Sequence, residues 1–343
     1  MRALRSPFIL IVTAIGAMML PTGAGAQSTG AARGPGANGA ERYALIIGGL
    51  GGTPEYTQKF ATYLSETRSL LINRFGFAAD RVRVLAEAGL ADRDFVDGTS
   101  SAENIREHIE ELGRSVRPDD QVFILLFGHG SFDGSNAALN IPRRDLADAE
   151  YGELLDGIEG GRVIFINTSS ASGPFAGVLA GPNRIVITAT ATGTERDETR
   201  FPQYLIEALR SPDADLDKNG ALSVREAFVY ASRQTARSYE TAGLIITEHA
   251  LLEDNGDGNP SRLEQVESEA DGHLAAMTYF RPADDRAIAS AEQQPVIRRI
   301  RELEQAIAEL KSRKAQLPED RYYDELEVLF VQLARLNDEL ERN

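Results

Sequence analysis

This sequence predicts an α/β fold, a largely parallel sheet with helices on both faces, on three observations. Short apolar runs of strand length recur between Tyr43 and Ala189, and segments with helical apolar spacing lie between them. Two of the runs end in glycine-flanked polar turns, Phe127-Gly128-His129-Gly130 and Ser169-Ser170-Ala171-Ser172-Gly173. Regular alternation of strand and helix implies βαβ units. In such sheets functional side chains sit where strands end and turns begin.

In order, Tyr43 to Ile47 reads as a strand running into Gly48-Gly49, and Tyr56 to Phe75 as a helix carrying Phe60, Leu64, Leu71 and Phe75. Arg81 to Leu85 is the next strand, and Ser101 or Ala102 opens a helix with Ile105, Ile109 and Leu112 on one side. Val122 to Phe127 is a strand, Leu146 to Ile158 a helix, and Arg162 to Ile166 and Arg184 to Ala189 are strands. Val224 to Arg237 reads as a helix and Gly243 to Thr247 as a further strand. This core is expected to span residues 41–280. From residue 293 the pattern changes. Ile300, Leu303, Ile307, Leu310 and Leu317 follow heptad spacing, Pro318-Glu319-Asp320 turns the chain, and Leu326, Phe330, Leu333 and Leu340 continue on a second helix. That is a helical hairpin of coiled-coil type over 293–343, suited to a structural arm or a homo-oligomer contact.

Arg2 and Arg5, the apolar run from Phe8 to Leu20, and Ala24-Gly25-Ala26 read as a signal peptide over 1–26 with cleavage before Gln27. Residues 27–40, rich in Gly, Ala and Ser, read as a flexible linker. A periplasmic or secreted location is therefore expected, where disulfides are permitted, yet the 343 residues include no cysteine. The net charge of −16 argues against nucleic-acid partners, which require clustered Lys and Arg. No segment after the leader is apolar enough to cross a bilayer.

Several motifs taken in order resemble the legumain/caspase-like cysteine peptidases (the C13-type group). They are Ala44-Leu45-Ile46-Ile47-Gly48-Gly49, Arg81-Val82-Arg83-Val84-Leu85 and Thr99 to Ile105. The turn Gly128-His129-Gly130-Ser131 is similar to the family's His-Gly element, and Thr168 to Gly173 to its Glu-Ala-Cys-x-Ser-Gly nucleophile turn. Ile185 to Ala191 looks like the following strand, and Glu195 to Thr199 stands where the family has its substrate-binding loop. The resemblance covers about residues 41–258. It implies a three-layer caspase/legumain-like sandwich, with His129 beside Gly130 as the catalytic pair's base. It places Ser170 at the nucleophile's cysteine, or Ser169 if the motif is anchored on Asn167-Thr168. Serine is a much weaker acid than cysteine and needs a histidine in reach, usually backed by a carboxylate. Asp133 is the one candidate nearby in sequence. The expectation is a peptidase homologue without activity that binds a peptide or protein partner. The alternatives are a Ser170–His129 acyl hydrolase and a structural platform for the C-terminal arm.

Asp215-Leu216-Asp217-Lys218-Asn219-Gly220-Ala221-Leu222-Ser223-Val224-Arg225-Glu226 matches the calcium loop of an EF-hand. Asp215, Asp217, Asn219, the Ala221 carbonyl, Ser223 and Glu226 are the candidate ligands. The other reading is an acidic turn that caps the helix from Val224. Glu253 to Asn259 is a poorer match because Gly256 occupies a ligand position, and it reads as a turn. His249 lacks clustered partners and reads as structural.

Overall fold

The computed structural model describes residues 40–267, 271–280 and 317–342, with single helical positions at 296, 299, 303, 306, 307 and 310. The expected signal peptide, the linker up to residue 39 and most of the first arm of the hairpin lie outside the described residues.

The first half of the chain runs β1 (Arg42–Gly48), α1 (Pro54–Asn73), β2 (Val82–Ala86), β3 (Gly98–Thr99), α2 (Ala102–Ser115) and β4 (Gln121–Phe127). A small antiparallel sheet follows, β5 (Gly130–Phe132), β6 (Ala137–Leu139) and β7 (Leu146–Ala147). The main fold resumes with α3 (Asp148–Asp156), β8 (Arg162–Asn167), α4 (Gly173–Val178), β9 (Arg184–Thr188), α5 (Phe201–Arg210) and α6 (Val224–Ala242). It closes with β10 (Leu251–Glu253), α7 (Leu263–Glu267) and α8 (His273–Ala276), and the last element is α9 (Glu319–Arg342).

The main sheet has 7 strands in the order β10-β9-β8-β4-β1-β2-β3. Every neighbouring pair is parallel except β10 with β9. Alternation along β1 sorts the core into two halves, as a period of two requires when both faces are covered. Ala44 and Ile46 point into one half with Phe60 and Leu64 of α1, Leu205 of α5 and Phe228 of α6. Leu45 and Ile47 point into the other with Ile105 and Ile109 of α2, Tyr151 of α3 and Phe175 of α4. The α/β expectation with a mostly parallel sheet holds.

Local chemistry accounts for the helix boundaries. The Thr53 hydroxyl accepts from the Tyr56 N–H and Pro54 opens α1, while Ser101 caps α2 through the Asn104 N–H. Ser223 and Glu226 form a reciprocal capping box on α6. That helix runs on to Gly243, whose left-handed φ of 65° ends it.

Three differences from the sequence reading follow from tertiary pairing. Leu146 and Ala147 belong to β7 and not to the following helix, because they pair with β6. Gly243 to Thr247 is not a strand. Gly243 is the helix cap, Leu244 and Ile245 are exposed, and pairing with β9 begins only at Leu251. On α9, Phe330 is 45% exposed, while Leu329 beside it is half-buried with Leu326 and Leu333. The inward stripe therefore passes through Leu329. Leu303, Ile307 and Leu310 of the first arm are buried.

Candidate active site

β4 and β8 are adjacent and parallel, with Leu126 opposite Asn167. The turns that follow them therefore leave the same end of the sheet together. The Gly130 N–H donates to the Ser170 hydroxyl oxygen at 3.2 Å, and that hydroxyl donates to the Gly130 carbonyl at 3.4 Å. A Cβ at Gly130 would lie 2.1 Å from the Ser170 carbonyl oxygen and 2.7 Å from the Ser169 hydroxyl. Only glycine permits this approach.

His129 packs edge-on against Tyr56 and Phe60 of α1, with ring centroids 4.5 Å and 5.1 Å away. Burial lowers its imidazole pKa. The nearby Glu198 carboxylate and a hydrogen bond with the Gly51 backbone oppose that shift without reversing it, and Lys59 adds to it. Asp133 does not orient the imidazole. Its carboxylate accepts from the N–H groups of Ser135 and Asn136, capping the exposed turn between β5 and β6. The carboxylate that His129 does feel is Glu198.

Ser170 is 5% exposed and Ser169 fully buried. The Ser169 hydroxyl donates to Asn167 Oδ1 at 2.8 Å, the same oxygen that accepts the Ser169 N–H. Both hydroxyls lie close to Gly130, but of the two serines it is Ser170 that bonds to it and lines the crevice beside His129. Ala171, next in the turn, has a φ of 53°, a left-handed conformation that a residue with a Cβ adopts at a cost. It is held there by its N–H donating to the Glu195 carbonyl at 2.7 Å.

The segment between β9 and α5 is anchored on both sides. Glu195 accepts from the Ala191 N–H and pairs with His249 at 2.9 Å, so His249 is a structural buttress. The Thr199 hydroxyl donates to the Thr168 carbonyl, and the backbone N–H groups of Arg200 and Phe201 donate to Glu248. Burial raises the pKa of Glu248 while those two N–H groups and Tyr239 pull against it. Between these anchors Glu198 accepts from the Tyr56 hydroxyl at 2.9 Å and pairs with Lys59.

Two spaces adjoin here. A crevice of about 10 Å³, lined by His129, Ser170, Gly128, Lys59, Phe60 and Glu198, has room for one water. A groove of about 880 Å³ shares Lys59, Tyr63, Glu198 and Thr199 with it and continues past Arg200, Tyr239 and Ile245. That volume falls within the range of ligand clefts. In the sequence reading Tyr56 marks a helix start and Phe60 its apolar face, and none of Tyr56, Lys59 and Phe60 is a candidate site residue. Their signal was position, at the start of a helix that follows a glycine loop on the carboxyl end of β1.

At the acidic loop, carboxylate oxygens of Asp215, Asp217 and Glu226 lie within 4.8 Å of one another. Burial raises the Asp217 pKa, the Asn219 N–H opposes this, and Glu226 and Asp215 reinforce it. Two of the other expected ligands, Asn219 and Ser223, hold local bonds. Asn219 Oδ1 accepts from the Ala221 N–H, and the Ser223 hydroxyl donates to Glu226 Oε2. Glu226 also accepts from the N–H groups of Leu216, Asp217 and Ser223. The three carboxylates suit a hard divalent cation, and one of them, Glu226, also caps α6 together with Ser223. In the second acidic loop, the Glu253 side chain is buried and accepts from the Gly256 N–H, as a turn requires.

No family model matches this chain, and no curated protein matches it. Among solved structures, a protein from Geobacter sulfurreducens aligns over 57% of this chain and 89% of its own, with 14% identity and a TM-score of 0.37. No helix among the described residues is long and apolar enough to cross a membrane.

Proposed function

We propose that this chain is an exported homologue of the legumain/caspase-like peptidases that has lost catalysis and holds a peptide or protein segment in the groove beside His129. The observation that carries this reading is the hydrogen bonding of Ser170. Its hydroxyl is engaged with the N–H and carbonyl of Gly130, whereas a nucleophilic serine must hand its proton to an imidazole. Asp133, the acid expected behind that imidazole, is engaged elsewhere. Kinship with the family is argued from the meeting of a His-Gly turn with the turn that the resemblance aligns with the cysteine turn of those enzymes.

A second reading, a Ser170–His129 acyl hydrolase, is favoured by one observation. Burial lowers the His129 pKa, which leaves the ring able to accept a proton near neutrality. One experiment decides between them. Mature protein is offered Asn- and Asp-containing peptide reporters and a fluorophosphonate, with calcium present. The inactive reading expects no turnover and no label on Ser170. Turnover abolished in both Ser170→Ala and His129→Ala overturns it.

Calcium at Asp215, Asp217 and Glu226 is part of the proposal, with a structural role in tying that loop to α6. A homo-oligomer through the C-terminal helices is the third element, supported by exposed Val328, Phe330 and Val331. Sedimentation of the chain with and without 293–343 tests it, and equal masses per chain count against it.

A further inference from the structure

The 196–198 stretch lies between firmly held neighbours and lends one side chain, Glu198, to the lining of the His129 crevice. Upstream, Glu195 is tied to Ala171, Ala191 and His249. Downstream, Thr199 and Arg200 are tied to Thr168 and Glu248. In between, Glu198 reaches across to α1, where it meets Lys59 and the Tyr56 hydroxyl. Tyr56 is the ring that lies against His129. Glu198 also lines both the crevice and the groove, so it forms part of the wall between them.

We propose that Glu198 is a self-inhibitory clasp, a displaceable side chain that shuts the His129–Ser170 crevice off from the neighbouring groove until its contacts with Lys59 and Tyr56 are exchanged. The inference builds on the reading of the groove as a peptide site, and adds that access to His129 is gated from within the chain. Three features fit a clasp and not a permanent wall. Lys59 and Glu198 have side chains 36% and 41% exposed, so solvent and salt compete for the pair. All of the clasp's partners sit on one helix, so a single displacement releases them together. The loop's anchors on either side do not involve Glu198, so opening leaves the Ser170 turn in place.

The test is the rate of His129 acylation by diethyl pyrocarbonate, resolved by peptide mass spectrometry on the intact mature protein. His108, His249 and His273 are internal controls. Glu198→Ala is expected to raise the His129 rate about five-fold, the ceiling set by an exposed ion pair, with the controls unchanged. Raising the salt concentration should accelerate His129 in the wild type and have little effect in Glu198→Ala. An unchanged His129 rate in Glu198→Ala overturns the clasp, and so does a rise at all four histidines together, which reports loosening of the fold. No peptide is needed, so this result is separate from whether the groove binds one.

Discussion

Replacing Gly130 by alanine tests the contact on which the candidate site rests. The added Cβ would stand 2.1 Å from the Ser170 carbonyl oxygen, 2.7 Å from Ser169 Oγ and 3.2 Å from the Ala138 carbonyl oxygen. Carbon and oxygen need about 3.3 Å even in a close C–H···O approach, so the two turns must part by roughly 1 Å. Neither neighbour yields easily. One is backbone, and the Ser169 hydroxyl is tied to Asn167 at 2.8 Å. Overpacking of this kind costs about 1–3 kcal/mol. Separation also loses both bonds between Ser170 and Gly130, each worth about 0.5–1.5 kcal/mol. The expected destabilisation is therefore about 2–6 kcal/mol. It is measured by urea unfolding followed by circular dichroism, since the chain has no tryptophan. The signature is a lower midpoint at unchanged slope. Gly89→Ala is the control, because a Cβ there meets nothing within 4 Å, and it should stay within about 0.5 kcal/mol of wild type. A Gly130→Ala loss below about 1 kcal/mol would mean that the turns are not in contact.

Ser170→Ala should lose about 1–3 kcal/mol, because both bonds to Gly130 go with the hydroxyl, and an unchanged midpoint in urea unfolding would count against those bonds. Folded His129 has a depressed pKa, so protonation favours unfolding. Its contribution to stability is full above the unfolded value of about 6.5 and declines as pH falls through the folded value. An NMR titration of the ring should show this midpoint below the ordinary histidine range, and Glu198→Gln should lower it further because Glu198 raises it; a midpoint at or above that range refutes the burial argument. Calcium should raise the melting temperature of the wild type, and Asp215→Ala should abolish the rise; persistence of the rise removes the site. Glu226→Ala is expected to lower the melting temperature even without calcium, because it frees the backbone N–H groups of Leu216 and Asp217 in the loop and of Ser223 at the start of α6.

The layer structure was legible before any coordinates. Apolar runs such as Val122–Phe127 and Ile185–Ile187 are buried on both faces, and an uninterrupted apolar strand has few other places to go. The cap at Ser101 was legible as well, because a hydroxyl and the N–H three residues on are near in sequence as well as in space, whereas the sequence reading gives Ser223 as a calcium ligand and the structure shows it capping α6. Helix α5 was not singled out, although Pro202 and its apolar residues Phe201, Leu205, Ile206 and Leu209 carry the pattern. The short ladders β5 to β7 and β10 left little trace, since two or three residues are too few to show a period.

What the sequence determined by itself was a set of local facts: which runs are apolar, which turns carry His129 and Ser170, and that the chain has no cysteine. Tertiary structure alone decided that those turns touch, that Ser170 bonds to the Gly130 backbone, and that Glu198 bonds to Lys59 and to Tyr56, whose ring lies against the imidazole. The physical reason is separation along the chain. Residues 40 to 142 positions apart meet only after the sheet has set the order and register of its strands, and a one-dimensional pattern does not encode which strand will lie next to which.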